Sequence, residues 1–206
     1  MDSNITSSKS GPRPGGRSAR VQAAVHAAVH SLQQEVDRAA LTVPLIAARA
    51  GVTPSTVYRR WGDLADLLAD VAVERMRPDM EPPDTGSVAG DLRAWSLQYL
   101  EEMTSDVGRA MVRDVLAGTG QPGGQPVPCR CFEFTASQID TILARARDRG
   151  ETGLPTTDAL VDGIVAPIIY RLLFAPEAPD VDWLRTRLHQ CLNNPAWPGD
   201  LSTAGS

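Results

Sequence analysis

TVPLIAARAGVTPSTVYRRW, residues Thr42–Trp61, reads as two short helices joined by a tight turn. Ala47, Gly51 and Val57 fall four and six residues apart. That spacing sets a small residue where two helices cross, a glycine in the turn, and a β-branched apolar residue on the inner face of the second helix. A helix pair near a right angle needs this pattern, because a bulky crossing residue or a β-carbon in the turn would push the helices apart. With Val57 and Trp61 facing inward at about 100° per residue, Ser55 and Arg59 point away, flanked by Thr56 and Tyr58, with Pro54 at the tip. Short hydroxyl side chains, a phenol and a guanidinium on one helical face suit the edges and phosphates of duplex DNA.

Outward from this stretch the periodicity is helical throughout. Residues 18–38 repeat apolar positions at Val21, Val25, Ala28, Val29, Leu32 and Val36, one face of a long helix. Thr42 is the expected N-cap of the next helix with Pro44 in its first turn, and Thr53 caps the following one with Pro54 first. Asp63 caps a fourth helix striped by Leu64, Leu67, Leu68, Val71 and Met76 and ending near Arg77. Pro78, Pro82 and Pro83 read as a linker and domain boundary. Beyond it, helices are expected over 88–103, 107–117, 129–149, 156–174 and 181–192, the fourth of these apolar nearly all round. The expected fold is all-α: a basic arm over 1–17, a helix-turn-helix domain over 18–77, a larger helical regulatory and dimerisation domain over 78–195, and a disordered tail over 196–206.

Charge divides the chain. Residues 1–62 carry eight Lys+Arg against three Asp+Glu, a net +5, whereas the rest carries 12 against 22, a net −10. A basic third joined to an acidic remainder suits a protein that offers one end to phosphates. The longest apolar run, Gly163–Ile169, is too short to span a bilayer, no secretory signal opens the chain, and cytoplasmic residence without membrane contact is expected.

Other chemistry finds little support. Gly118, Gly120 and Gly123 match GxGxxG by count, but no strand precedes them and Pro122 interrupts. His26 and His30 are four apart on one helix yet lack a third ligand, so no metal is expected. Cys129 and Cys131 diverge on a helix and read as free thiols. No nucleophile, base and orienting acid stand in a catalytic pattern, so neither an enzyme nor a cofactor is expected.

With Ile46, Ala47, Ala50, Gly51, Val52, Thr53, Tyr58 and Trp61 in place, residues 16–73 resemble the TetR family of bacterial regulators. A weaker likeness to one subgroup's C-terminal domain runs through RARDRGE and DALVDGIVAPIIYRLLF. The resemblance implies that Thr53 and Tyr58 bind phosphates, that Arg17 reaches an adjacent groove, and that the protein is a dimeric, ligand-responsive repressor. Arg59 is left open between guanine and phosphate, and Thr42 opens a helix whose N-terminus can hold another phosphate. The operator is then a near-palindrome of double-stranded DNA with half-sites roughly 34–36 Å apart. One departure is Leu64, near the place where the family commonly carries a phosphate-binding Lys. The last two long helices would pair with those of a second copy through Ile164, Ile168, Leu172, Leu184 and Leu188. Trp95, Tyr99, Met103, Met111, Phe132, Phe134 and Tyr170 are the candidate lining of a pocket for an unidentified small-molecule effector. The alternative of another class is a small-molecule-binding helical protein whose DNA head is weakened or lost. A regulator acting through a protein partner is a further one.

Overall fold

The computed structural model describes residues 16–118 and 127–193, and every regular element among them is helical. Contacts divide the chain into two compact units, residues 1–67 and 68–206.

In the smaller unit, α1 (Arg17–Glu35) buries Val25, Ala28, Val29 and Leu32, the face its periodicity marks out. It stops three residues short of the expected end. Val36 and Asp37 are extended, a 3-10 turn follows at Arg38–Ala40, and this reversal sends Leu41 into the core. Thr42 caps α2 (Val43–Ala50), its hydroxyl oxygen accepting from the Leu45 amide at 3.3 Å. At the other end Gly51 is left-handed (φ 67°), and the Val52 amide reaches back to the Ala47 carbonyl at 3.0 Å. This is a Schellman closure. A β-carbon on Gly51 would meet nothing within 4 Å, so the turn needs glycine for its dihedral angle and not for space between the helices.

α3 (Pro54–Trp61) is rooted by Val57 and Trp61, exposed by 0% and 2%. Thr53 precedes it, but its side chain does not cap the helix amides. Its hydroxyl instead lies 2.9 Å from both the Ser55 and the Thr56 hydroxyls. Asp63 does cap α4 (Leu64–Met76), through the Asp66 amide at 2.8 Å.

The division by contacts falls inside α4, after Leu67, ahead of the prolines. Ala69, Ala72 and Val73 belong to the larger core. The Pro-rich segment belongs there too: Pro82 is buried and its carbonyl accepts from Arg145 at 2.8 Å. Arg145 also pairs with Glu81, and Arg149 with Asp84 at 3.2 Å and with the fully buried Asp91 at 2.9 Å. Burial alone would push the Asp91 carboxyl up. The Thr85 amide and hydroxyl, with Arg149, hold it below its ordinary value.

The larger unit continues with α5 (Val88–Thr104), α6 (Asp106–Ala117), α7 (Val127–Asp148), α8 (Thr157–Leu160), a π-helical turn (Val161–Val165), α9 (Ala166–Phe174) and α10 (Val181–Asn193). Ser87, Ser105 and Thr156 cap α5, α6 and α8. The apolar stretch expected as one helix over 156–174 thus carries a π-turn, where the Ala166 amide bonds to Val161. Gly163 sits in this turn because Cys191 packs on it: an added β-carbon would stand 2.4 Å from the Cys191 sulfur.

The residues expected at the dimer contact lie largely in the core of one chain. Ile164, Ile168 and Leu184 are fully buried and Leu188 is nearly so, all in the core of a single chain, with Leu172 packed against it. Within one chain the π-turn, α9 and α10 pack these side chains against α5 and each other. Residues 1–15 of the expected arm, the tail over 196–206, and Gly120 and Gly123 lie outside the described residues, while Arg17, the last residue of that arm, is the first residue of α1.

Candidate nucleic-acid interface and cavity

With Val57 and Trp61 turned inward, α3 presents Pro54, Ser55, Tyr58 and Arg59 to solvent, with Thr53 exposed before it and Thr56 half-buried. Tyr58 is 48% exposed, unusual for an aromatic that could have packed inward. Neighbouring cations are already engaged. Arg60 donates to Ser18 and Gln22 of α1 at 2.6 Å each and lies 5.2 Å from the Trp61 ring centre. Arg49 forms a two-pronged pair with Glu35 at 2.6 and 2.7 Å. Hydrogen bonds from Arg49 and Ser31 hold the Glu35 carboxyl down at about 2. Arg59 has no such bond among the described residues, so its guanidinium remains for a ligand. The helical period turns Arg59 outward, and partners on α1 hold Arg60, the other arginine of α3.

Thr42 is exposed at the start of α2, while Arg17 and Arg20 are exposed on the first turns of α1. Leu64 is half-buried as the first residue of α4, an apolar side chain where a phosphate-binding cation was considered. His26 is buried with its ring centre 6.1 Å from that of Trp61, so it packs under α3 instead of facing solvent.

A cavity of about 800 Å³ lies within the larger unit. Trp95, Tyr99, Met103, Phe132 and Phe134 line it, bringing together residues from α5 and α7. Met111 does not: it is buried in the surrounding core. Tyr170 does not either, because it is on the outer side of α9, 66% exposed and 5.1 Å from the Phe174 ring. Sequence reasoning missed the contribution of the end of α4 and the segment after it, where Met76, Met80 and Glu81 line the cavity. Nothing in their spacing signals this, since prolines interrupt every period there.

Residues 26–71 match the family model described as bacterial regulatory proteins of the tetR family, and residues 82–190 match that of the tetracyclin repressor-like C-terminal domain. The chain belongs to the TetR family. Rv1556, an HTH-type transcriptional regulator of Mycobacterium tuberculosis, is 32% identical over 156 residues, 73% of this chain and 75% of that protein. AqdR, an HTH-type transcriptional regulator of Rhodococcus erythropolis, is 29% identical over 119 residues, and the match spans 56% of each chain. The crystal structure of the TetR-family regulator SCO0332 shares the fold with a TM-score of 0.64 at 24% identity, covering 84% of this chain and 97% of that one. The protein is a DNA-binding transcriptional regulator, and α3 with its exposed face lies inside the matched N-terminal segment. No helix among the described residues is long and apolar enough to cross a membrane.

Proposed function

We propose that the protein is a repressor that binds a near-palindromic operator as a homodimer and leaves it when a small apolar or amphipathic molecule fills the cavity of the larger unit. The observation that carries the DNA half is the row Pro54, Ser55, Tyr58 and Arg59, exposed on a helix fixed from below by Val57 and Trp61. Arg59 is the base-reading candidate. Tyr58, Thr53 and Thr42 serve as phosphate contacts that set register, and Arg17 reaches toward the adjacent groove. On this reading the protein works in the cytoplasm, beside the chromosome it regulates. Arg59→Ala should weaken operator binding about 10- to 100-fold, from about 1–3 kcal/mol, without lowering thermal stability. Titration of a labelled operator measures it, and unchanged affinity would favour the reading of a helical ligand-binding protein with an inactive head.

The dimer surface moves outward from the residues first considered. Tyr170, Phe174 and Val181 are exposed by 66%, 70% and 48%, an apolar row on α9 and the start of α10. A row of this kind on a family that dimerises through its last helices is the natural seat for the second copy. Phe174→Asp should therefore give a monomer in sedimentation analysis and weaken DNA binding, because each head alone covers only a few base pairs. A Phe174→Asp dimer would remove this face from the account. Ligand coupling runs through α4, whose first residues count with the smaller unit and whose Glu74, Arg75 and Met76 line the cavity. A differential affinity worth about 1–3 kcal/mol is enough for it to switch DNA binding.

A further inference from the structure

The lining of the cavity is specific enough to assign a charge and a shape to what it holds, on the reading that it is an effector site. One wall is flat and aromatic: Trp95 and Tyr99 stack with ring centres 5.5 Å apart and planes 21° from parallel. Phe132 and Phe134 add two more rings, and Met76 and Met103 supply polarizable thioethers. Burial raises the Tyr99 phenol well above its ordinary range, so it stays neutral and offers a hydroxyl inside an apolar wall. Such a surface favours a planar, largely apolar molecule.

The charges at the rim are unevenly matched. Four carboxylates border the cavity: Glu74, Asp79, Glu81 and Glu102. Glu74 is taken by Arg77 and Arg130, and Glu81 by Arg145. Arg77 itself rests 5.2 Å from the centre of the Phe134 ring. The side-chain carboxylates of Asp79 and Glu102 accept no hydrogen bond among the described residues, and the nearby cation acting on Glu102 is Arg75. Burial pushes the Glu102 carboxyl up and Asp79 adds to the push, with Arg75 opposing. Two carboxylates against one guanidinium leave the rim short of positive charge, beside rings whose faces also attract cations.

We infer that the cavity takes a flat aromatic molecule carrying one positive charge, with its rings against Trp95 and Tyr99 and its cationic end between Glu102 and Asp79. A matched set of three-ring probes tests this on the full chain: 9-aminoacridine as cation, acridine as neutral form and anthracene-9-carboxylate as anion, by titration calorimetry at neutral pH. The expected order is cation first and anion last, with the cation about tenfold or more ahead of the anion. Glu102→Gln should remove most of the cation's lead over acridine and leave acridine itself unchanged. Asp79→Asn should do the same to a smaller degree. Tyr99→Leu should weaken all three, with circular dichroism confirming that the variant keeps its helices. A tightest-bound anion, a cation lead unmoved by Glu102→Gln, or no binding of any probe would overturn the assignment. Adding each probe to the protein on its operator separates the two levels. Selective binding that leaves the DNA complex intact keeps the assignment of charge and shape and removes the effector reading.

Discussion

Trp61→Ala is expected to unfold the DNA-reading head while leaving the larger unit folded. The indole is 2% exposed, with the His26 ring below it and the Arg60 guanidinium 5.2 Å from its centre. Removing so large a buried ring costs about 3–5 kcal/mol, a sum of lost transfer energy and the cavity left behind. The unit it supports is small, and small cores have little stability in reserve. The same truncation also loosens Arg60, whose two bonds to Ser18 and Gln22 tie α3 to α1. Native-state hydrogen exchange measures the outcome. The amides of α1, α2 and α3 should lose most of their protection, those of α5 and α7 should keep theirs, and operator binding should vanish. Unaltered protection in α3 would show that Trp61 is not the anchor assigned to it.

The second large effect belongs to Gly108, in the first turn of α6. A β-carbon there would stand 2.0 Å from the Glu102 carbonyl oxygen and 2.8 Å from the Met103 α-carbon, both backbone atoms of α5. The carbonyl has no room to retreat, because the Ser105 amide and hydroxyl already donate to it at 3.3 and 2.7 Å. The Ser105 hydroxyl in turn accepts from the Gly108 amide at 3.0 Å, so cap, corner and glycine form one unit. Gly108→Ala must open the α5–α6 corner, and the expected loss is about 3 kcal/mol, the upper end for overpacking. Ser105→Ala, which deletes only the cap, should cost about 1 kcal/mol. Because Glu102 and Met103 also line the cavity, Gly108→Ala should weaken small-molecule binding as well. Denaturant titration of both variants checks the contrast, and a Gly108→Ala protein as stable as the parent would contradict the corner as described.

Much of the smaller unit was legible from local signals. Thr42, Gly51 and Pro54 act within a few residues of their own positions, and Val57 and Trp61 obey a helical period, so α2, the turn and α3 follow from short-range chemistry. Thr53 shows where that stops: its hydroxyl has a choice of partners, and three adjacent hydroxyls find one another before the helix amides. Arg60 shows the same for long-range pairing, since nothing near it in the chain reveals that Ser18 and Gln22 wait on α1. In the larger unit the apolar periods were correct but their destinations were not. An Ile or Leu stripe says that a face is buried and not by what, which is why Ile164, Ile168, Leu184 and Leu188 read as a dimer seam yet fill their own core. The π-turn at Val161–Val165 escaped notice because it inserts one residue without disturbing apolar composition. The Pro-rich stretch after α4 read as a linker, and Arg145 and Arg149 bind its carbonyl and carboxylates from more than 60 positions away.

The most direct test of the central claim is selection of genomic DNA fragments by the purified protein, including the DNA beside its own gene, followed by footprinting with the parent and with Tyr58→Ala. The account predicts a protected near-palindrome with half-sites about one helical turn apart, roughly 34–36 Å, and its loss in the Tyr58→Ala variant. Binding that is indifferent to sequence and fades with salt, or a footprint that Tyr58→Ala leaves in place, would contradict α3 as the reading helix.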